Sequence, residues 1–173
     1  MDPFIPGAAI RIVEEEDLWQ VRELAEQIFP VTYQDIVSAR QIDYMMDMIY
    51  SPEALVHQLD EGQIFHILYL EERPVGFASY MPLENEGAFK LNKIYLDPGL
   101  QGKGVGRFLL ADMITRVKNA GGQTLQLNVN RHNTARGFYE KMGFTLLKED
   151  LIDIGGGYFM DDYVMILPLS QNT

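Results

Sequence analysis

Apolar residues recur along this chain with two spacings. Leu18, Val21, Leu24, Ala25, Ile28 and Phe29 fall three and four residues apart, which predicts an amphipathic helix. Asp17 reads as its N-cap and Pro30 as its end. A second helical region covers roughly 36–60. Ser51-Pro52-Glu53 divides it, as a capping serine followed by proline at the first helical position, and Gly62 closes it. Ile64–Leu70 and Val75–Met81 then predict two strands joined by a polar turn, and Ala88–Leu96 predicts a third. Val105, Leu109, Met113 and Val117 step by four, so a helix follows and stops at Gly121-Gly122. Leu125, Leu127 and Val129 alternate with polar residues as a strand. Thr134–Met142 predicts a short helix, and Phe144–Ile152 and Tyr158–Leu167 predict two final strands.

With a first short strand at Ile10–Val13, the order is β-α-α-β-β-β-α-β-α-β-β. This is an α/β arrangement, a central mixed sheet with helices on both faces. The strand–helix–strand unit at 88–129 is the one crossover and should be parallel and right-handed. Residues 1–9 read as an N-terminal arm, 10–169 as a single domain and 170–173 as a tail.

Composition narrows the function. The 173 residues are 47% hydrophobic, enough for one sizeable core. No cysteine is present, which excludes a disulfide scaffold, a thiolate zinc site and a cysteine nucleophile. His57, His66 and His132 show no metal-ligand spacing, so no metal is expected. Fourteen basic residues stand against 25 acidic ones, a net charge of −11. That balance opposes nucleic acid and anionic membrane as partners; it favours small cations, with a solvated acidic surface as the commoner alternative. Neither a signal peptide nor an apolar run of about 18 residues is apparent, so a cytoplasmic protein is expected.

The main chemical motif is Gln101-Gly102-Lys103-Gly104-Val105-Gly106, between a strand and an amphipathic helix. Unpaired N–H groups and a partial positive charge at a helix start suit a diphosphate, and glycines let it approach closely. A purely structural turn is the alternative. The Walker pattern is absent, and the third glycine of the dinucleotide fingerprint would fall on Arg107.

One strand later comes Asn133-Thr134-Ala135-Arg136-Gly137-Phe138-Tyr139-Glu140-Lys141-Met142-Gly143-Phe144. With Gln101, Gly104 and Gly106 matching a Q/R-x-x-G-x-G/A signature, the chain resembles the GNAT superfamily of acetyl-CoA-dependent N-acetyltransferases over roughly 10–169. Phe29-Pro30-Val31-Thr32-Tyr33 and the segment from Tyr44 to Ser51 are also similar to the PaiA-type spermidine/spermine acetyltransferases.

The resemblance implies that the amides from Gln101 to Gly106 hold the pyrophosphate of acetyl-CoA. Lys103, Arg107 and Arg136 would add charge; the other reading of Lys103 and Arg107 is solvated helix-start residues. Ile94, Tyr95 and Leu96 would pair their backbone with the pantetheine arm where two strands splay. An N–H near Leu96 would polarise the thioester carbonyl. Asn133 reads both as a helix cap and as a cofactor contact. Tyr139 is the implied acid for the departing thiolate, against its reading as a core tyrosine on an apolar helical stripe.

The base has no single candidate. Phe89–Lys93 contains no acid, so Tyr33, Asp35, Glu84 and Asn92 are taken as acceptor-side residues, with Glu86 beside Glu84 in the same loop. Asp161-Asp162 either attract a cation near the acceptor or face water. The expected reaction is direct transfer to a small primary amine, a polyamine by preference, because neither a cysteine nor a serine elbow offers a covalent route. The alternatives are a non-catalytic acyl-CoA-binding module and a protein or peptide N-terminal acetyltransferase. A homodimer is expected by analogy with the family.

Overall fold

A computed structural model describes residues 4–170. The outermost residues of the expected arm and tail, 1–3 and 171–173, lie outside the described residues. Seven strands form one sheet: β1 (Ala8–Ile12), β2 (Ile64–Leu70), β3 (Arg73–Pro82), β4 (Ala88–Leu96), β5 (Thr124–Asn130), β6 (Thr145–Gly155) and β7 (Tyr158–Pro168). Their order is β1-β2-β3-β4-β5-β7-β6. Only β4 and β5 are parallel, joined by the crossover helix α4 (Val105–Asn119). The expected mixed sheet is therefore present, and β1 begins at Ala8, two residues before the predicted start.

The sheet separates two cores. On one face, α4 and α5 (Ala135–Lys141) pack Leu109, Leu110, Met113 and Tyr139 against Leu125, Leu127 and Met165. On the other, α1 (Leu18–Tyr33), α2 (Ala39–Tyr50) and α3 (Pro52–Asp60) pack Val21, Phe29, Met45 and Leu55 against Phe65, Ile67 and Phe77. Ser51 caps α3 as predicted, its hydroxyl accepting from the Ala54 N–H at 3.2 Å.

Both ends of α1 differ from the sequence reading. Asp17 makes no side-chain cap, because a 3-10 turn over Glu15–Asp17 runs directly into the helix. Pro30 does not end α1 but lies inside it. Proline removes one N–H and crowds the preceding turn. Burial of Phe29 and Tyr33 on either side of it outweighs that cost. Their rings pack with centroids 4.5 Å apart, and Phe29 also meets Tyr50 and Tyr95.

Candidate active site

The parallel ladder between β4 and β5 is short. It runs from Ala88 opposite Thr124 to Leu91 opposite Leu127 and stops, although both strands continue. A bulge in β4 lies at the same point: Tyr80 of β3 faces Leu91 and Ser79 faces Lys93, so Asn92 is an extra residue. A bulge bends its strand and re-aims the side chains beyond it. Ile94 and Leu96 accordingly pack toward α4 and α5, and Tyr95 toward α1. The strands part beyond the bulge, and Tyr33, Asn92, Ile94, Tyr95, Asn133 and Tyr139 line the resulting cavity together. The Oδ1 atom of Asn92 is buried there without a hydrogen-bond partner.

Three phenols enter this opening from three elements. Tyr33 arrives on the last residue of α1, carried past Pro30, and its hydroxyl lies 3.1 Å from that of Tyr95 on β4. Tyr139 comes from α5 on the opposite face, wedged between Phe138 and Phe144. Burial raises the pKa of all three phenols above the usual tyrosine range. They therefore stay protonated at neutral pH and remain donors.

At the end of β4 the chain makes a 3-10 turn over Pro98–Leu100 and then the glycine turn. Gly102 and Gly104 both adopt φ of +79°, the left-handed region. Gly104 is the residue from which α4 starts. The first N–H returned into the helix is that of Phe108, to the Gly104 carbonyl at 3.1 Å. The N–H groups of Val105, Gly106 and Arg107 precede it and so lie at the positive end of the helix dipole. A side chain on Gly102 would meet nothing within 4 Å, so the turn is open from outside. Gly106 fixes it to the opening, since a Cβ there would lie 3.4 Å from Leu96 of β4. Gln101, Lys103 and Arg107 are exposed, and the Val105 side chain is buried, leaving only its backbone for binding.

Other candidates are placed less centrally. Asn133 borders the opening while its Oδ1 accepts from the Ala135 N–H at 2.9 Å, so both of its predicted roles are compatible. Arg136 is held by Glu140 at 2.7 Å and stacks over Tyr163, so its charge is already partnered. Asp35 is exposed in the turn after α1 and does not line the cavity. Glu84 lies in the β3–β4 turn, beyond the end of β4 at which the two strands are still paired. At ~3.3 Å per residue, Ala88 alone is about 13 Å from Asn92, which removes Glu84 from the opening.

Near the opening, Asn128 and Lys93 went unassigned in the sequence, whereas Asp162 was read as either attracting a cation or facing water. Asn128 lines the opening from β5 and donates from Nδ2 to Asp162 at 3.2 Å. Asp162 is buried on β7. Lys93 of β4 is buried and also lines the opening, its Nζ bonded to Gln58 at 2.6 Å and Gln63 at 2.8 Å. Burial lowers the Lys93 pKa to about 7. The polar alternation of β5 marked Asn128 as facing one side, but only tertiary pairing brings it against Asp162.

A mixed sheet parted between its two parallel strands, with a glycine-started helix at the end of one of them, is the architecture the resemblance implied. Residues 33–155 match the family model described as an acetyltransferase (GNAT) domain, and the chain belongs to that family. A spermidine N(1)-acetyltransferase of Thermoplasma acidophilum is 28% identical over 147 residues, spanning 82% of this chain and 90% of that protein. The crystal structure of the PaiA N-acetyltransferase from Thermoplasma acidophilum in complex with coenzyme A is similar with a TM-score of 0.76. It is 25% identical, and the match covers 93% of this chain and 98% of that one. A [ribosomal protein bS18]-alanine N-acetyltransferase of Haemophilus influenzae is 38% identical over 85 residues, 49% of this chain and about half, 53%, of that protein.

Proposed function

We propose that this GNAT acetyltransferase moves an acetyl group from acetyl-CoA directly to the primary amine of a small cation, a polyamine by preference. The observation that carries the reading is the opening between β4 and β5, entered by Tyr139 on one face of the sheet and by Tyr33 on the other. Two reactants approaching from opposite faces would meet there without a covalent enzyme intermediate.

The residues fit the coenzyme. The Val105–Arg107 amides and the open glycines suit a pyrophosphate, with Gln101 and Lys103 exposed beside it. Beyond Leu91, β4 has no β5 partner, so its backbone from Asn92 to Leu96 is available to a pantetheine arm in the manner of an added strand. An N–H in that stretch would stabilise the oxyanion formed at the thioester carbonyl. Acetyl-CoA supplies the activated acyl carbon. Tyr139, a buried neutral phenol, supplies the proton that the departing sulfur requires.

A cationic acceptor is supported by the net charge of −11 and by the relative that acetylates spermidine. The Haemophilus influenzae relative favours a second acceptor, a peptide N-terminus. Purified protein, acetyl-CoA and a panel of polyamines, monoamines and an alanine-starting peptide separate the readings by free-thiol release. Preferred turnover of the polyamines supports the first and preferred turnover of the peptide replaces it. Tight coenzyme binding without transfer to any amine would make the domain a binding module.

A further inference from the structure

Asp162 sits on β7 two residues from Met160, and strand alternation puts both on the face covered by α1–α3. Tyr139 belongs to the opposite core. Asp162 is only 7% exposed. One of its oxygens accepts from Asn128, which lines the opening; the other, Oδ1, is buried with no hydrogen-bond partner among the described residues. A buried carboxylate oxygen without a partner is costly and uncommon in a folded protein. Asn128 joins the carboxylate to the opening, on the face of the sheet opposite the core that holds Tyr139.

We infer that Asp162 is a catalytic carboxylate that receives the acceptor ammonium on its free oxygen and takes the proton that frees the amine for attack. The inference rests on the acetyl-transfer reading above and supplies the base that reading lacks. The charges balance. The ammonium gives one proton to the Asp162 carboxylate, and the nitrogen lone pair forms a bond to the acyl carbon. The carbon–sulfur bond then breaks, and the sulfur takes the Tyr139 proton. The excess proton on the new amide nitrogen restores the Tyr139 phenol, and Asp162 releases its own proton to solvent. Burial raises the Asp162 pKa, which strengthens it as a base. The other charged groups acting on it are Lys90 on β4, Asp150 on β6 and Asp161 beside it, with Tyr33 facing it from α1.

The test is the pH dependence of kcat/KM between pH 6 and 9 with two acceptors, an alkylamine and a weakly basic hydrazide that is neutral throughout. With a carboxylate base, wild-type kcat/KM for the alkylamine, divided by that for the hydrazide, stays level over this range. Asp162→Asn keeps the shape and the Asn128 contact. It should lower the alkylamine value about 100-fold or more at pH 6, and the loss should shrink about tenfold per pH unit as neutral amine accumulates. Its hydrazide turnover and coenzyme affinity should stay within about threefold of wild type. Titration of Lys93 inside this range cancels in the ratio of acceptors.

Equal alkylamine turnover by Asp162→Asn and wild type at pH 6 overturns the inference alone. So does a wild-type ratio that itself climbs about tenfold per unit, a measurement that stands even if the variant does not fold. No transfer by wild type to any amine overturns the parent reading, and this one with it.

Discussion

The hydroxyls of Tyr33 and Tyr95 lie 3.1 Å apart, joining the end of α1 to the strand that opens beside β5. Neither residue would be there without an irregularity: α1 must continue through Pro30, and β4 must bulge at Asn92. Tyr33→Phe leaves the buried Tyr95 hydroxyl without this partner and should cost about 1–3 kcal/mol. The double variant with Tyr95→Phe removes both hydroxyls, so it should be less destabilised than the two single changes added together. Urea unfolding of all four proteins measures the coupling, and strict additivity would mean that the contact contributes nothing.

Tyr139 supplies the second prediction. Burial holds its phenol neutral, and the proposed role needs only one proton given to a leaving sulfur. Tyr139→Phe keeps the ring between Phe138 and Phe144, so stability and coenzyme affinity should change little. Turnover should fall about 100-fold, the usual scale for a lost general acid. Parallel measurement of kcat and coenzyme Kd decides it. A fall in affinity with kcat intact would make Tyr139 a wall of the opening and not an acid.

Gly104 tests the coenzyme site. Its φ of +79° starts α4, and only Ile5 at 4.0 Å approaches the place of a Cβ. A side chain there is therefore opposed by backbone conformation and would project into the open approach to the helix amides. Gly104→Val should lose about 1–2 kcal/mol of stability from the left-handed conformation. It should also weaken coenzyme binding at least about tenfold by obstructing the phosphates. Calorimetry on the folded variant measures the second effect, and unchanged affinity would move the phosphate site elsewhere.

These cases separate what the sequence carried from what it did not. The helix stripes, the strand alternation and the glycine turn are local patterns, and each element they predict is present. The Val105–Arg107 helix start and Tyr139 follow from such patterns together with the family resemblance. The continuation of α1 was not legible, because proline's local cost is visible in sequence whereas the aromatic packing of Phe29 and Tyr33 is not. The parting of β4 from β5 was implied by the family resemblance alone, since no residue type encodes where a ladder stops. Asp162 read as either a cation-attracting or a solvated residue, and Lys93 as an ordinary polar residue on a strand. Their burial depends on pairing between elements far apart in the chain.

Lys93 gives the last prediction, and its sign follows from linkage. Desolvation lowers its pKa to about 7 in the folded protein, against 10.5 for an unperturbed lysine. Below pH 7 both folded and unfolded chains carry the charge, and the folded one bears the full cost of burying it. Between that pH and the unfolded value, the unfolded chain binds one more proton, so stability rises with pH by up to about 1.4 kcal/mol per unit. Its polar partners, Gln58 and Gln63, accept its hydrogen bonds without a negative charge, which is why the cation is not rescued. Lys93→Met preserves much of the volume and the packing over Phe65 while removing the titration. Urea unfolding at pH 7, 8 and 9 should show stability rising relative to the variant by up to about 2–3 kcal/mol across that range. A constant difference between the two proteins would mean that Lys93 keeps its proton in the fold, held by the two glutamine oxygens more strongly than burial opposes it.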